Sequence, residues 1–201
     1  MQVSAVTTRM ELEALAPEWN RLLHASSSES IFLTWEYISA WVDAVAPSAD
    51  LYVLVVRNAN DELVGIAPFY RRRIRLRSVL TYRCLCILGG DASPAEYLDL
   101  ILHRDHEQPV PDALGAALAR RSGWDCIWIP RVAEWTGAPE RLDRLVHGAS
   151  ALSGRPRQIS AVWPMTSSIN LSAGANIPGA PAPISTGNSG WTPLSTLTSG
   201  S

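Results

Sequence analysis

Five arginines fall within seven positions of this chain: Arg71, Arg72, Arg73, Arg75 and Arg77. On a β-strand, alternation puts Arg71, Arg73, Arg75 and Arg77 on one face and Arg72 with Ile74 and Leu76 on the other. Four guanidiniums in a row are a candidate site for phosphates or an acidic partner, because each offers a planar fork of donors. The competing reading is the solvated end of an over-long hairpin, whose charge blunts a sheet edge. Trp35, Tyr37 and Trp41 form a candidate aromatic surface, although aromatic residues at helical spacing more often face a core. Gly89-Gly90-Asp91 is a weak candidate for an anion-binding nest of backbone N–H groups.

Two further groups resemble metal ligands on paper. Cys84 and Cys86, two apart on a strand, point both thiols to one face, either as half of a metal site or as small buried hydrophobes. No second Cys or His pair stands at ligand spacing, so the core reading is preferred and no metal is expected. His103 and His106, beside Asp105 and Glu107, lack a third ligand at helical or hairpin spacing and read as a surface loop. No G-x-S-x-G, P-loop or G-x-G-x-x-G occurs, so the common hydrolase and nucleotide-binding signatures are missing.

The elements that must position these residues follow from periodicity. Leu51 to Arg77 reads as a long β-hairpin: Leu51 to Val56 is an apolar, β-branched run, Asn58 to Asp61 supplies turn chemistry, and Leu63 to Leu76 returns. Before it, Gln2 to Thr7 is a short strand. Met10 to His24 is helical by its Leu12, Leu15, Trp19, Leu22 and Leu23 stripe, with Pro17 as an alternative start. Thr34 caps a helix that runs through Ala44. After it, Val79 to Leu88 and Tyr97 to Leu102 are strands, Asp112 to Arg121 a helix behind Pro111, Trp124 to Pro130 a buried strand, and Pro139 to His147 a last helix. The order predicts an α/β fold with a mixed sheet flanked by helices on both faces.

Composition sets the limits. The 201 residues, 47% hydrophobic and 18% charged, suffice for one core, and the cysteines number three. That odd number, with no signal-peptide layout at the N-terminus, argues against a disulfide framework and for a cytoplasmic protein. No apolar run reaches the roughly 18–20 residues that cross a bilayer, so no membrane insertion is expected. Every basic side chain is Arg, and the net charge of −2 gives no general attraction to nucleic acid. The composition shifts near residue 150: all 19 acidic residues precede it, and Ser, Thr, Pro and Gly make up more than half of residues 151–201. Residues 1–150 therefore read as the ordered domain, and 151–201 as a disordered tail unable to offset its ordering entropy.

The order IFLTWEYISAW, LYVLVVRNANDELVGIAPFYRRR, LCILGGDASPAEYLDLIL and WDCIWIP resembles the N-terminal half of CelD-type acetyltransferases. These belong to the GNAT superfamily, are linked to cellulose or exopolysaccharide biosynthesis, and are related in architecture to the FemAB peptidyltransferases. The resemblance spans roughly residues 10–135 and rests on motif order. It implies a GNAT-like fold, incomplete relative to a tandem of two such halves, with acetyl-CoA as co-substrate and a small-molecule or saccharide acceptor. The family's acyl-CoA chemistry is associated with the second half. Its pyrophosphate cradle, Q/R-x-x-G-x-G/A, presents backbone N–H groups at a helix N-terminus. The nearest approach here, RCLCILGG from Arg83 to Gly90, has the wrong spacing.

The resemblance therefore implies an inactive, truncated fragment that does not bind acetyl-CoA, with no assignable catalytic residue and a half-interface open to self-association. The alternative is a non-catalytic binding or scaffold module using the Arg71–Arg77 face and the Trp-rich helix. A tail that begins where a relative would continue fits a changed reading frame. The coding DNA downstream of the Ser150 codon is expected to contain an acetyltransferase-like continuation in another frame; if sequencing finds none, the frameshift idea fails.

Overall fold

A computed structural model of the protein describes residues 1–76, 80–90, 97–120, 123–130, 137–153 and 158–162. Strand β1 (Gln2–Val6) leads into α1 (Arg9–Ala14) and α2 (Ala16–His24), where the sequence predicted one helix. Pro17 is the cause: it occupies the first turn of α2, where its missing N–H would have had no helical partner. Helix α1 is closed by a capping box, with the Thr8 side chain accepting from Glu11 N while the Glu11 carboxylate accepts from Thr8 N. Those backbone bonds hold the Glu11 carboxyl below its ordinary range, the one from Thr7 most of all. Helix α3 (Trp35–Val45) begins behind Thr34, as its cap residue predicts.

Strands β2 (Asp50–Arg57) and β3 (Leu63–Leu76) form the hairpin, and β4 (Leu80–Ile87) returns along β3. At the hairpin turn Asn58 Oδ1 accepts from Asn60 N and Glu62 N, and Asp61 takes a left-handed φ of 62°. Asp tolerates that conformation better than most residues. β2 runs beside β3 only as far as Arg71, whereas β4 stays paired out to Leu76, so β3 and β4 continue as a two-stranded ribbon beyond β2. The chain then makes β5 (Ile101–Leu102), α4 (Pro109–Arg120), β6 (Cys126–Pro130), α5 (Ala138–Ser153) and β7 (Gln158–Val162).

The described strands form one mixed sheet in the order β1-β2-β3-β4-β6-β7, with β5 also on β3. The first four are antiparallel neighbours, and β4-β6 and β6-β7 are parallel, joined through α4 and α5. Trp41 of α3 packs on Tyr70, and Val110 of α4 lies against Gly65. Tyr70 and Gly65 are an odd number of residues apart on β3 and face opposite sides, so helices cover both faces.

Two expectations need correction. The strand expected over Tyr97–Leu102 shrinks to Ile101–Leu102, because the preceding residues form an excursion from the β4 line. The boundary expected at residue 150 falls inside α5, and β7 adds a further sheet strand, so regular structure enters the segment read as tail. Composition missed this because Gln158–Val162 completes its backbone bonding on β6 rather than through a core of its own. Residues 163–201, which carry most of the expected tail, lie outside the described residues.

Helices α4 and α5 cross at Gly115 and Gly148. A Cβ on Gly115 would stand 2.6 Å from Leu145 O and 3.1 Å from Ala149 N, whereas one on Gly148 would meet nothing closer than 3.5 Å. Arg144 Nε donates to Asp112 Oδ1 across the same pair. Gly115→Ala should therefore destabilise by about 1–3 kcal/mol through overpacking against backbone. Gly148→Ala should be neutral or stabilising by up to about 1 kcal/mol, since Gly weakens a helix interior. Urea midpoints of the two variants check the contrast; equal shifts would refute the close crossing.

Candidate functional site

In open sheets with parallel strands, ligand sites favour the carboxyl ends of those strands. Here that end is where β4 and β6 part. Their pairing covers only Cys84–Cys126, Leu85–Ile127 and Cys86–Trp128, although β6 runs on to Pro130. Beyond Ile87 the chain leaves the β4 line and comes back as β5, whose Ile101 and Leu102 pair with Ile66 and Gly65 of β3. Into this gap the returning chain places Leu98, Asp99 and Leu100, all buried. Residues 91–96 and 131–136 lie outside the described residues.

Asp99 is the chemical centre of the gap. Its side chain is 2% exposed, and Arg141, in the first turns of α5, is 8% exposed and pairs with it. Ser28 Oγ donates to Asp99 Oδ2 at 2.6 Å, Leu100 N donates to Oδ1 at 2.7 Å, and Arg141 Nη2 also reaches Ser28 Oγ at 3.1 Å. Glu107 Oε1 stands 3.6 Å from Arg141 Nη1. Burial holds the Asp99 carboxyl above its ordinary range, and the Arg141, Ser28 and Leu100 donors offset only part of that rise. Three donors converge on a carboxylate with almost no solvent contact. Such a group orients its neighbours; it is badly placed to collect a proton from a substrate. Ser28 Oγ does have a carboxylate beside it, but that carboxylate is ion-paired with Arg141, which weakens it as a base, and the hydroxyl is itself buried between the two charges.

The motif stretches of the sequence meet at this end. Leu88 N donates to Pro68 O at 2.8 Å, joining the L-G-G turn to the V-G-I-A-P strand. Gly89, at φ 87°, lies under Tyr37 and Ile38 of α3, and a Cβ there would come 3.1 Å from the Tyr37 ring. Gly90 closes a turn to Ile87 O, while Asp91 of the candidate nest is outside the described residues.

Of the candidate aromatic surface, Trp41 is in the core, 5% exposed and tilted against Tyr70 at 5.7 Å, while Trp35 and Tyr37 are half-buried at its edge. Trp35 packs edge-on to buried Trp19 at 5.8 Å, and Tyr37 edge-on to Phe32 at 5.3 Å. The helical spacing turns Trp41 inward and leaves the other two rings part of their surface. The arginine stripe is not a continuous free row either. Arg71 sits 4.2 Å over the Tyr52 ring and 3.6 Å from Asp50, while Arg73 is exposed on the ribbon opposite Arg83. Arg83 is itself paired with Asp125 at 2.8 Å. Arg75 lies on β3 without a described side chain, and Arg77 is outside the described residues.

Elsewhere, a surface cleft of about 370 Å³ is lined by Glu18, Arg21, Leu63, His103 and His106 among others. Glu18 is held by Arg57 in a two-pronged pair at 2.7 and 3.0 Å, and that bonding lowers its carboxyl below the ordinary range. His103 Nδ1 accepts from Asp105 N at 3.2 Å in a short helical turn. Among the described residues no group of three or more His, Cys, Asp or Glu is arranged to hold a metal ion. No protein-family model, curated protein or solved structure matches the chain.

Sequence reasoning passed over Asp99 and Arg141. The signal was present: Asp99 interrupts the apolar run LDLIL, and Arg141 stands beside Leu142 at the apolar side of its helix. A lone charge in an apolar run is either unpaired, which is costly, or paired with another such charge. Asp99→Ala should cost about 3–5 kcal/mol by leaving the buried Arg141 guanidinium without its hydrogen-bonded partner, with only the more distant Glu107 carboxylate near it. Asp99→Leu combined with Arg141→Met should recover most of that loss, as measured by chemical denaturation. A double variant no better than Asp99→Ala would show that the two charges do not act as a pair.

Proposed function

We propose that this chain is an acetyltransferase-family domain, of the lineage that moves an acyl group from acyl-CoA to an amine or sugar acceptor in exopolysaccharide or cellulose synthesis. We further propose that it does not itself perform the transfer. The observation that carries the reading is the meeting of the resembling stretches at one place. Tyr37 of the aromatic helix rests on Gly89 of the L-G-G turn, Pro68 of the hairpin binds Leu88, and Cys126 and Trp128 of WDCIWIP pair with the same strand. Motifs that belong to one family should form one neighbourhood, and these do. The mixed sheet covered by helices on both faces supports a GNAT-like arrangement.

The non-catalytic part of the proposal rests on chemistry. Acyl transfer of this class needs the acceptor amine to attack the thioester, a general base to take its proton, and backbone donors for the carbonyl oxygen. The carboxylate at the strand ends is buried and already accepts from three donors. The sequence carries no Q/R-x-x-G-x-G/A cradle for the CoA diphosphate. A binding module built on the arginine face and the aromatic helix has less to stand on, with Arg71 engaged and Trp41 buried.

Calorimetric titration of the full chain with acetyl-CoA is expected to give no binding heat, and a thiol reagent should detect no CoA release with amine or sugar acceptors present. Saturable binding, or release above the rate of spontaneous hydrolysis, would overturn the non-catalytic assignment.

A further inference from the structure

Three thiols share one face of the seam between the antiparallel and parallel halves of the sheet. Cys84 and Cys126 are register partners on the parallel strands β4 and β6, and Cys86 is the register partner of Trp128. Register partners on adjacent strands point the same way and lie about 4.7–4.9 Å apart at Cα. That separation falls in the window a disulfide accepts, about 4.4–6.8 Å. Cys84 and Cys86 are 3% and 2% exposed, while Cys126 is half-buried and gives the pair an opening to solvent. Cys86 is displaced by two residues along β4 from the partner of Cys126, a diagonal spacing too long for a bridge.

We propose that Cys84 and Cys126 are an oxidant-responsive thiol pair that closes to an intramolecular disulfide when it meets a peroxide. Arg72, the register partner of Cys84 on β3, places a cation on the same strand pair, and Cys126 is the member through which a peroxide reaches the two sulfurs. One thiolate of the pair attacks one peroxide oxygen, the O–O bond breaks, and the hydroxide released takes the other thiol's proton to leave as water. The second sulfur then attacks the sulfenic acid sulfur of the first; the S–S bond forms, and the sulfenic oxygen leaves as hydroxide and becomes a second water on protonation. Two thiols are oxidised, one peroxide is reduced, and β4 is tied to β6 at the seam.

The test is treatment of the full chain with hydrogen peroxide, followed by unfolding and thiol counting with a maleimide. Three reactive thiols in the reduced chain should fall to one, and dithiothreitol should restore all three. Cys86→Ser should fall from two to none, whereas Cys84→Ser and Cys126→Ser should lose no thiol to an intramolecular bridge. Because a seam variant can fail to fold, peptide mapping of the wild-type chain gives an independent readout. Cleavage after Leu85 separates Cys84 from Cys86, and the bridged fragment should join Cys84 to Cys126. A bridge through Cys86, disulfides only between copies, or oxidation of Cys126 to sulfinic acid without a bridge would each overturn the proposal.

Discussion

The buried carboxylate of Asp99 is the constraint around which the junction of this molecule is arranged. A charge taken from water without a partner costs several kcal/mol, so the fold must bring donors to it. Those donors come from three separate parts of the chain. Ser28 lies in the loop after α2, Leu100 is in the returning segment itself, and Arg141 is in the first turns of α5. One carboxylate thus fixes the N-terminal helices, the excursion from β4 and the last described helix relative to one another. A hydrophobic residue there could fill the same space, but it would not require any particular partner. Selection of a unique arrangement, rather than net stabilisation, is our hypothesis for why a charge occupies this place.

Such a clamp is needed because the strand contacts alone are uneven. β2, β3 and β4 are joined by long antiparallel ladders between strands consecutive in the chain, while β4 and β6 share only three residue pairs. Parallel pairing through a crossover requires closing a long loop before its bonds form. The parallel half therefore depends on contacts outside the ladder. The Gly115 and Gly148 crossing packs α4 onto α5, and Val110 packs α4 onto β3 beneath it. Arg141 then fixes the start of α5 to the chain that leaves β4. These contacts act on the two successive crossovers, α4 before β6 and α5 before β7, and together they do what a longer β4-β6 ladder would have done.

The sequence was most legible where local signals and tertiary packing agree. Thr34 capped the predicted helix, Pro17 marked a real helix start, and the alternation of β2 and β3 produced the hairpin with its Asn58 turn. It was least legible where one segment's structure is completed by another. Tyr97 to Leu100 has strand composition, but its line on β3 has already been left by β4 and is regained only at Ile101. Gln158–Val162 lies in a stretch whose composition suggests disorder, yet it is a short strand with a partner waiting on β6. Composition describes what a segment can bury alone and is silent about a neighbour that supplies half the bonds.

The site residues obey the same logic. Guanidiniums and aromatic rings are conspicuous in a sequence because their chemistry is strong, and strong chemistry is also what a fold uses for its own contacts. Arg71 lies over Tyr52 and Trp41 is packed on Tyr70, so both take part in contacts within the fold. Asp99 and Arg141 were inconspicuous, one acid among many and one arginine among many, yet their environment makes them the most chemically constrained pair described. What distinguishes them is burial, and burial belongs to the packing of several segments at once. The useful sequence signal was therefore the mismatch between one residue and its neighbours: a carboxylate inside LDLIL must have a cation somewhere, and the last helix supplies it.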